Sequence, residues 1–138
     1  MADLVLTKQA LDRIDSVLES LLARSGAHSV LLIDKAGQII SFKGSMSQEK
    51  VASLAALTAA NYGATTAIAR LFGEEEFTLL FHNGKEENIH FSNVGEEYLM
   101  ITIFNNNTHL GLVRLEVRKS LERIEAMFAE NLRQWFNA

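Results

Sequence analysis

The sequence predicts a single α/β (α+β) domain over residues 1–138, with a five-stranded antiparallel sheet and helices on both of its faces. Three observations carry this expectation. Three long segments repeat apolar residues at helical spacing, and short apolar runs bounded by turn residues lie between them. The resulting order is helix, two strands, helix, three strands, helix, which buries most simply as an antiparallel sheet sandwiched by helices. The 138 residues contain no proline, no linker-like run and no internal repeat, and the length supports a sizeable core.

In the first helix Leu11, Ile14, Leu18, Leu21 and Leu22 form the apolar stripe, with Asp12, Asp15, Ser16 and Glu19 opposite. Thr7 is placed as its N-cap and Gly26 as its stop after Arg24. A hairpin follows, His28 to Asp34 and Gln38 to Lys43. Asp34 and Gly37 stand at the first and fourth positions of a type I turn. Val30 to Ile33 is continuously apolar, as in a strand covered on both faces, whereas the second strand is mixed and reads as an edge. The second helix runs from about Gln48 to Phe72, capped by Ser45 or Ser47 and ended by Gly73. Strands are then expected at Phe77 to His82, Asn88 to Val94 and Tyr98 to Phe104, with Asn83-Gly84 turning between the first two. The last is almost wholly apolar and belongs beside Val30 to Ile33. After the polar run Asn105 to Thr108 comes a final helix, whose stripe is Val113, Val117, Leu121, Ile124, Phe128, Leu132 and Trp135.

Composition excludes several function classes. There is no cysteine, which removes disulfides, thiolate metal sites and cysteine nucleophiles and suits a cytoplasmic location. A net charge of −4 speaks against nucleic acid as a partner. Met1 to Thr7 lack the charged and long apolar regions of a signal peptide, so export is not expected. The uncharged run Val51 to Ala69 is interrupted by Asn61, Tyr62, Gly63, Thr65 and Thr66, so membrane insertion is not expected. His28, His82, His90 and His109 show no metal-ligand spacing, and no metal or other cofactor is expected. The acidic clusters Glu74 to Glu76, Glu86-Glu87 and Glu96-Glu97 all fall at turns, where carboxylates keep ordinary acidity. No GxxxxGK or GxGxxG motif occurs. Arg70, Arg114 and Arg118 read as solvated helix residues rather than catalytic arginines. No catalytic residue is assigned.

The second helix is the unusual element. Val51, Leu54, Thr58, Tyr62, Thr65, Ala69 and Phe72 share the side that packs on the sheet, with Leu57 and Ile68 at its margin. The opposite face carries Ala56, Ala59, Ala60, Gly63, Ala64 and Ala67 where a solvated helix would carry Lys and Glu. Rows of small residues every fourth position permit close approach of another backbone, and a charge-free outer face marks an interaction surface. The strand Phe77 to His82 would leave an open apolar edge, which pairing with a second copy would close.

The hairpin HSVLLIDKAGQII, the segment LAALTAANYGATTAIARLFGEEEFTLLFH and the stretch ITIF…LGLVRL resemble the Roadblock/LC7 family, and within it the bacterial MglB-type proteins. The resemblance extends over roughly Leu11 to Arg123 and is one of pattern, with no catalytic motif. It implies a five-stranded sheet with one helix on one face and two on the other, doubled across a homodimer. It implies a regulator that binds a Ras-like small GTPase of the MglA type and stimulates its GTP hydrolysis without supplying catalytic residues. A link to cell polarity and motility is inherited with it. By match to the family's second helix, the GTPase contact falls on Ala59, Ala60, Gly63, Ala64 and Ala67. The dimer contact falls on Leu57, Thr58, Asn61, Phe77, Thr78, Leu79, Leu80 and Phe81. The sequence ends at Phe136-Asn137-Ala138, so contacts that longer relatives make through a C-terminal extension are not expected. A non-catalytic adaptor dimer remains the alternative, and a small-molecule sensor would need a cavity among Phe42, Phe81, Phe91 and Phe104.

Overall fold

A computed structural model describes residues 7–74 and 81–137, the side chains of 81–82 and 131–137 excepted. Helix α1 spans Lys8–Ser25. The Thr7 hydroxyl accepts from the Ala10 amide at its start, and Gly26 ends it in the left-handed conformation with its amide on the Leu22 carbonyl. Strands β1 (Ser29–Asp34) and β2 (Ile39–Gly44) form the first hairpin. Helix α2 spans Gln48–Leu71, with the Ser47 hydroxyl accepting from the Lys50 amide. Strands β3 (Phe81–Asn83), β4 (Glu87–Val94) and β5 (Tyr98–Asn105) lead into helix α3 (Leu110–Asn137).

The sheet is antiparallel in the order β2-β1-β5-β4-β3. Four of these strands have six to eight residues, and β3 contributes three at the edge. The expected fifth strand, Phe77 to His82, is described only from Phe81, as the edge strand β3; Phe77 to Leu80 lie outside the described residues. The expected hairpin at Asn83-Gly84 joins β3 to β4, through a turn wider than two residues. Asn83 pairs with Asn88 in the ladder, and the Gly84 amide donates to the Glu87 carbonyl at 2.9 Å. A two-residue Asn-Gly turn of type I′ needs positive φ at both residues, and neither has it. The wider loop is held from outside instead. The Asn106 side chain donates to the Lys85 carbonyl and its amide to the Glu86 carbonyl, while the Asn88 amide group donates to Asn106 at 2.9 Å.

Side chains alternate across the central strands and divide the core in two. Val30, Leu32, Met100 and Phe104 face α1 and α3, where they meet Ile14, Leu18, Leu21, Val113, Val117, Ile124 and Phe128. Leu31, Ile33, Phe91, Leu99, Ile101 and Ile103 face α2, where they meet Val51, Ala55 and Tyr62. Strand β5 is buried from Tyr98 through Phe104, which accounts for its unbroken apolar sequence. Among the described residues, no helix is long and apolar enough to cross a membrane.

Candidate functional site: the outer face of the second helix

Along α2, the sheet-facing positions Val51, Ala55, Thr58, Tyr62 and Ala69 are buried. The outer residues Ala56, Ala60, Gly63, Ala64 and Ala67 are exposed, and Ala59 is half-buried. Large apolar side chains flank them: Leu57 is 69% exposed, Ile68 49%, Leu71 82% and Phe72 74%. Helical spacing puts Phe72 on the sheet side, and the structure corrects this. Phe72 lies beyond the last helical residue, at a C-cap whose amide reaches the Ala69 and Arg70 carbonyls, and so leaves that face.

Gly63 sharpens the meaning of the small-residue rows. It sits in the middle of α2 with an ordinary helical backbone, and a Cβ added there would meet nothing within 4 Å. Glycine inside a helix costs about 0.5–1 kcal/mol relative to alanine. Among the described residues none packs on Gly63, so its missing side chain leaves the helix backbone open at that point.

The structure also divides the outer face. The β1–β2 turn packs against one flank of α2: at Gly37 (φ 93°) an added Cβ would lie 3.4 Å from the Ala59 Cβ and 3.4 Å from the Ala55 carbonyl. Helical periodicity places Ala56, Ala59 and Gly63 on this flank, and Leu54, Leu57, Asn61 and Ile68 on the opposite one. Ala60, Ala64 and Ala67 lie on the crest between them. The first flank is small and suits close contact with a backbone. The second is bulky and suits burial of apolar area. Beside the latter, Glu49, Lys50, Ser53, Leu54 and Leu57 line an open depression of about 410 Å³.

The sequence-derived dimer residues fall into three groups. Leu57 and Asn61 are exposed on the bulky flank. Thr58 is only 4% exposed in the single chain, so its side chain serves the contact between α2 and the sheet rather than an outer surface. Phe77, Thr78, Leu79 and Leu80 lie outside the described residues, and of Phe81 only its place in β3 is described. The cavity that a sensor would need is corrected: Phe91 faces α2 and Phe104 faces α1 and α3, so the sheet itself separates them.

The titratable groups are engaged structurally. His28 Nε2 meets Glu87 at 2.8 Å and its Nδ1 meets the Ser29 hydroxyl at 2.9 Å, tying β1 to β4 across the sheet end. His90 contacts the Ser92 hydroxyl at 3.1 Å, and burial, with a contribution from Arg114, holds its imidazole below the usual pKa. The Leu112 amide donates to Nδ1 of His109 at the start of α3. Among the described residues, no three His, Asp or Glu side chains converge as metal ligands would. Arg70, Arg114 and Arg118 are exposed helix residues.

Sequence reasoning missed Lys35. Its ammonium stands 4.8 Å from the centroid of the Tyr62 ring, beside the Ala59 flank. Nothing in the sequence spacing connects residues 35 and 62, because the contact depends on how the hairpin folds over α2.

The chain as a whole is similar to known proteins. Myxococcus xanthus MglB is 36% identical, with a TM-score of 0.84, covering 93% of this chain and 96% of its own. The gliding protein MglB of Thermus thermophilus is 31% identical, with a TM-score of 0.83 and coverage of 94% and 98%. An MglB solved in a tetrameric arrangement is 30% identical, with a TM-score of 0.84 and coverage of 95% and 98%. No curated protein sequence matches the chain. The pattern that defines the Roadblock/LC7 domain matches residues 13–104, and with that match and these identities the chain belongs to the Roadblock/LC7 family.

Proposed function

We propose that the protein is a homodimeric regulator of a Ras-like small GTPase of the MglA type, binding it through the crest and small flank of α2. The observation that carries this reading is the likeness to MglB structures along more than nine-tenths of the chain at 30–36% identity. The exposed, uncharged face of α2 supports it. In this reading Ala59, Ala60, Gly63, Ala64 and Ala67 receive the GTPase. Leu57 and Asn61, with the 77–81 segment, join two copies, since a stable interface needs roughly 1,000 Å² of buried surface. The protein places no catalytic side chain in the nucleotide site. It accelerates hydrolysis by favouring one arrangement of the GTPase's own switch segments, an effect limited by its differential affinity for the two arrangements.

The test is single-turnover GTP hydrolysis by the MglA-type GTPase of the same organism, with and without this protein. A saturable acceleration is expected, together with tighter binding to the GTP-loaded form. Ala64→Arg places a long charged side chain on the crest and should abolish the acceleration while melting temperature stays unchanged. Nucleotide-independent binding without acceleration would replace this reading with that of an adaptor dimer.

A further inference from the structure

The outer face of α2 is uncharged from Val51 to Ala69, its charged residues Glu49, Lys50 and Arg70 lying at the two ends of the helix, so a charge acting at the middle of that face comes from a neighbouring element. The β1–β2 turn is that element. The Asp34 carboxylate accepts from the Ala36 and Gln38 amides at 3.0 and 2.9 Å, and the Gly37 amide donates to the Asp34 carbonyl at 3.1 Å. Gly37 then seats the turn on α2 at van der Waals distance from Ala55 and Ala59. Between these two anchors Lys35 extends over Tyr62, a ring that is itself 8% exposed and fixed against the sheet. Attraction between ammonium and ring face holds the lysine head at the border of the small flank. Among the described residues no carboxylate forms an ion pair with it; the neighbouring Asp34 carboxylate takes the two turn amides through its Oδ1.

We infer that Lys35 is a specificity residue of the α2 surface, its ammonium donating to a carboxylate of the docking protein at the edge of the Ala59–Gly63 flank. The inference rests on the regulator reading above and adds a charge at the middle of the face, between the charged ends of the helix. An ammonium already oriented by a ring loses less freedom on pairing than a free lysine. At the rim of an interface such a charge acts chiefly on association rate and on discrimination between partners, and it weakens with salt.

The experiment measures affinity for the GTP-loaded MglA-type GTPase of the same organism at low and high salt, using wild type, Lys35→Met, Lys35→Glu and Lys35→Arg. Lys35→Met keeps the contact with the ring and is expected to bind several-fold more weakly at low salt. Lys35→Glu should lose about tenfold or more, both losses shrinking at high salt. Lys35→Arg, which keeps the charge over the ring, should restore binding. The loss should appear in the half-saturating concentration rather than in the hydrolysis rate at saturation. Wild-type binding together with unchanged affinity and salt dependence in Lys35→Glu would overturn this inference alone. A fall in the saturated rate at unchanged affinity would also overturn it, since the ammonium would then act on the nucleotide phosphates. Absence of wild-type binding would overturn the regulator reading itself and this inference with it.

Discussion

The two faces of the sheet are built to different degrees of completion. On one face α1 and α3 pack against each other and against the sheet, so that Ile14, Leu18, Leu21, Met100, Phe104, Val113 and Ile124 are wholly or almost wholly removed from solvent. Tyr98 and Phe128 meet at 4.8 Å, and polar ties close the periphery: Arg13 with Glu130, Lys43 with Glu19, and the Gly95 amide with Glu125. On the other face α2 is the one helix among the described residues. It covers the sheet with Val51, Ala55, Thr58 and Tyr62 but leaves Leu57, Ile68, Leu71 and Phe72 in solvent. Two helices bury more of their apolar side chains than one does: on α3 Leu112 and Leu115 are about 40% exposed, against 69–82% for Leu57, Phe72 and Leu71 of the second face. Substitutions on the first face should therefore cost stability, and those on the second should cost association.

The largest expected effect lies on the complete face. Phe104→Ala removes a ring that is 2% exposed, and chemical denaturation should show a loss of about 3–5 kcal/mol. The contrasting change, Leu57→Glu with Ile68→Glu, should leave the circular dichroism spectrum intact and convert a dimer to a monomer by light scattering; a dimer that survives would place self-association elsewhere. Gly63→Ala separates stability from association within one residue. Helix propensity predicts about 0.5–1 kcal/mol of added stability, and the new methyl should weaken GTPase binding. A variant both more stable and equally tight would remove Gly63 from the contact.

The smallest effect concerns His90, whose folded pKa lies below the ordinary histidine value of 6.5. Below that value the unfolded chain takes up a proton that the folded chain resists, so the contribution of neutral His90 is complete above about pH 6.5 and declines as pH falls through the lowered folded pKa. His90→Gln should flatten the acid limb of stability against pH. An unaltered slope would assign the limb to other groups.

How much of this was legible in the sequence depended on how local the determinant was. The span of α1 follows from Thr7, Gly26 and a 3.6-residue stripe, and the β1–β2 turn from Asp34 and Gly37. Asn83-Gly84 marks the β3–β4 hairpin, but the width of its turn is not local: Asn106 reaches across from the loop after β5 and holds Lys85 and Glu86. Helical spacing places Thr58 on the sheet side, in agreement with its burial, whereas the resemblance adds it to the dimer contact.

By itself the sequence determined the number of helices, the apolar strands β1 and β5, and the uncharged character of α2, since each depends on residues adjacent along the chain. Only the tertiary structure decided which flank of α2 lies beside the hairpin turn, and that Lys35 stands over Tyr62. Periodicity fixes the angle between residues on a helix but not the rotation of that helix on its sheet. That rotation is set by the fit of Val51, Ala55 and Tyr62 onto Leu31, Ile33 and Leu99, contacts between residues far apart in the chain.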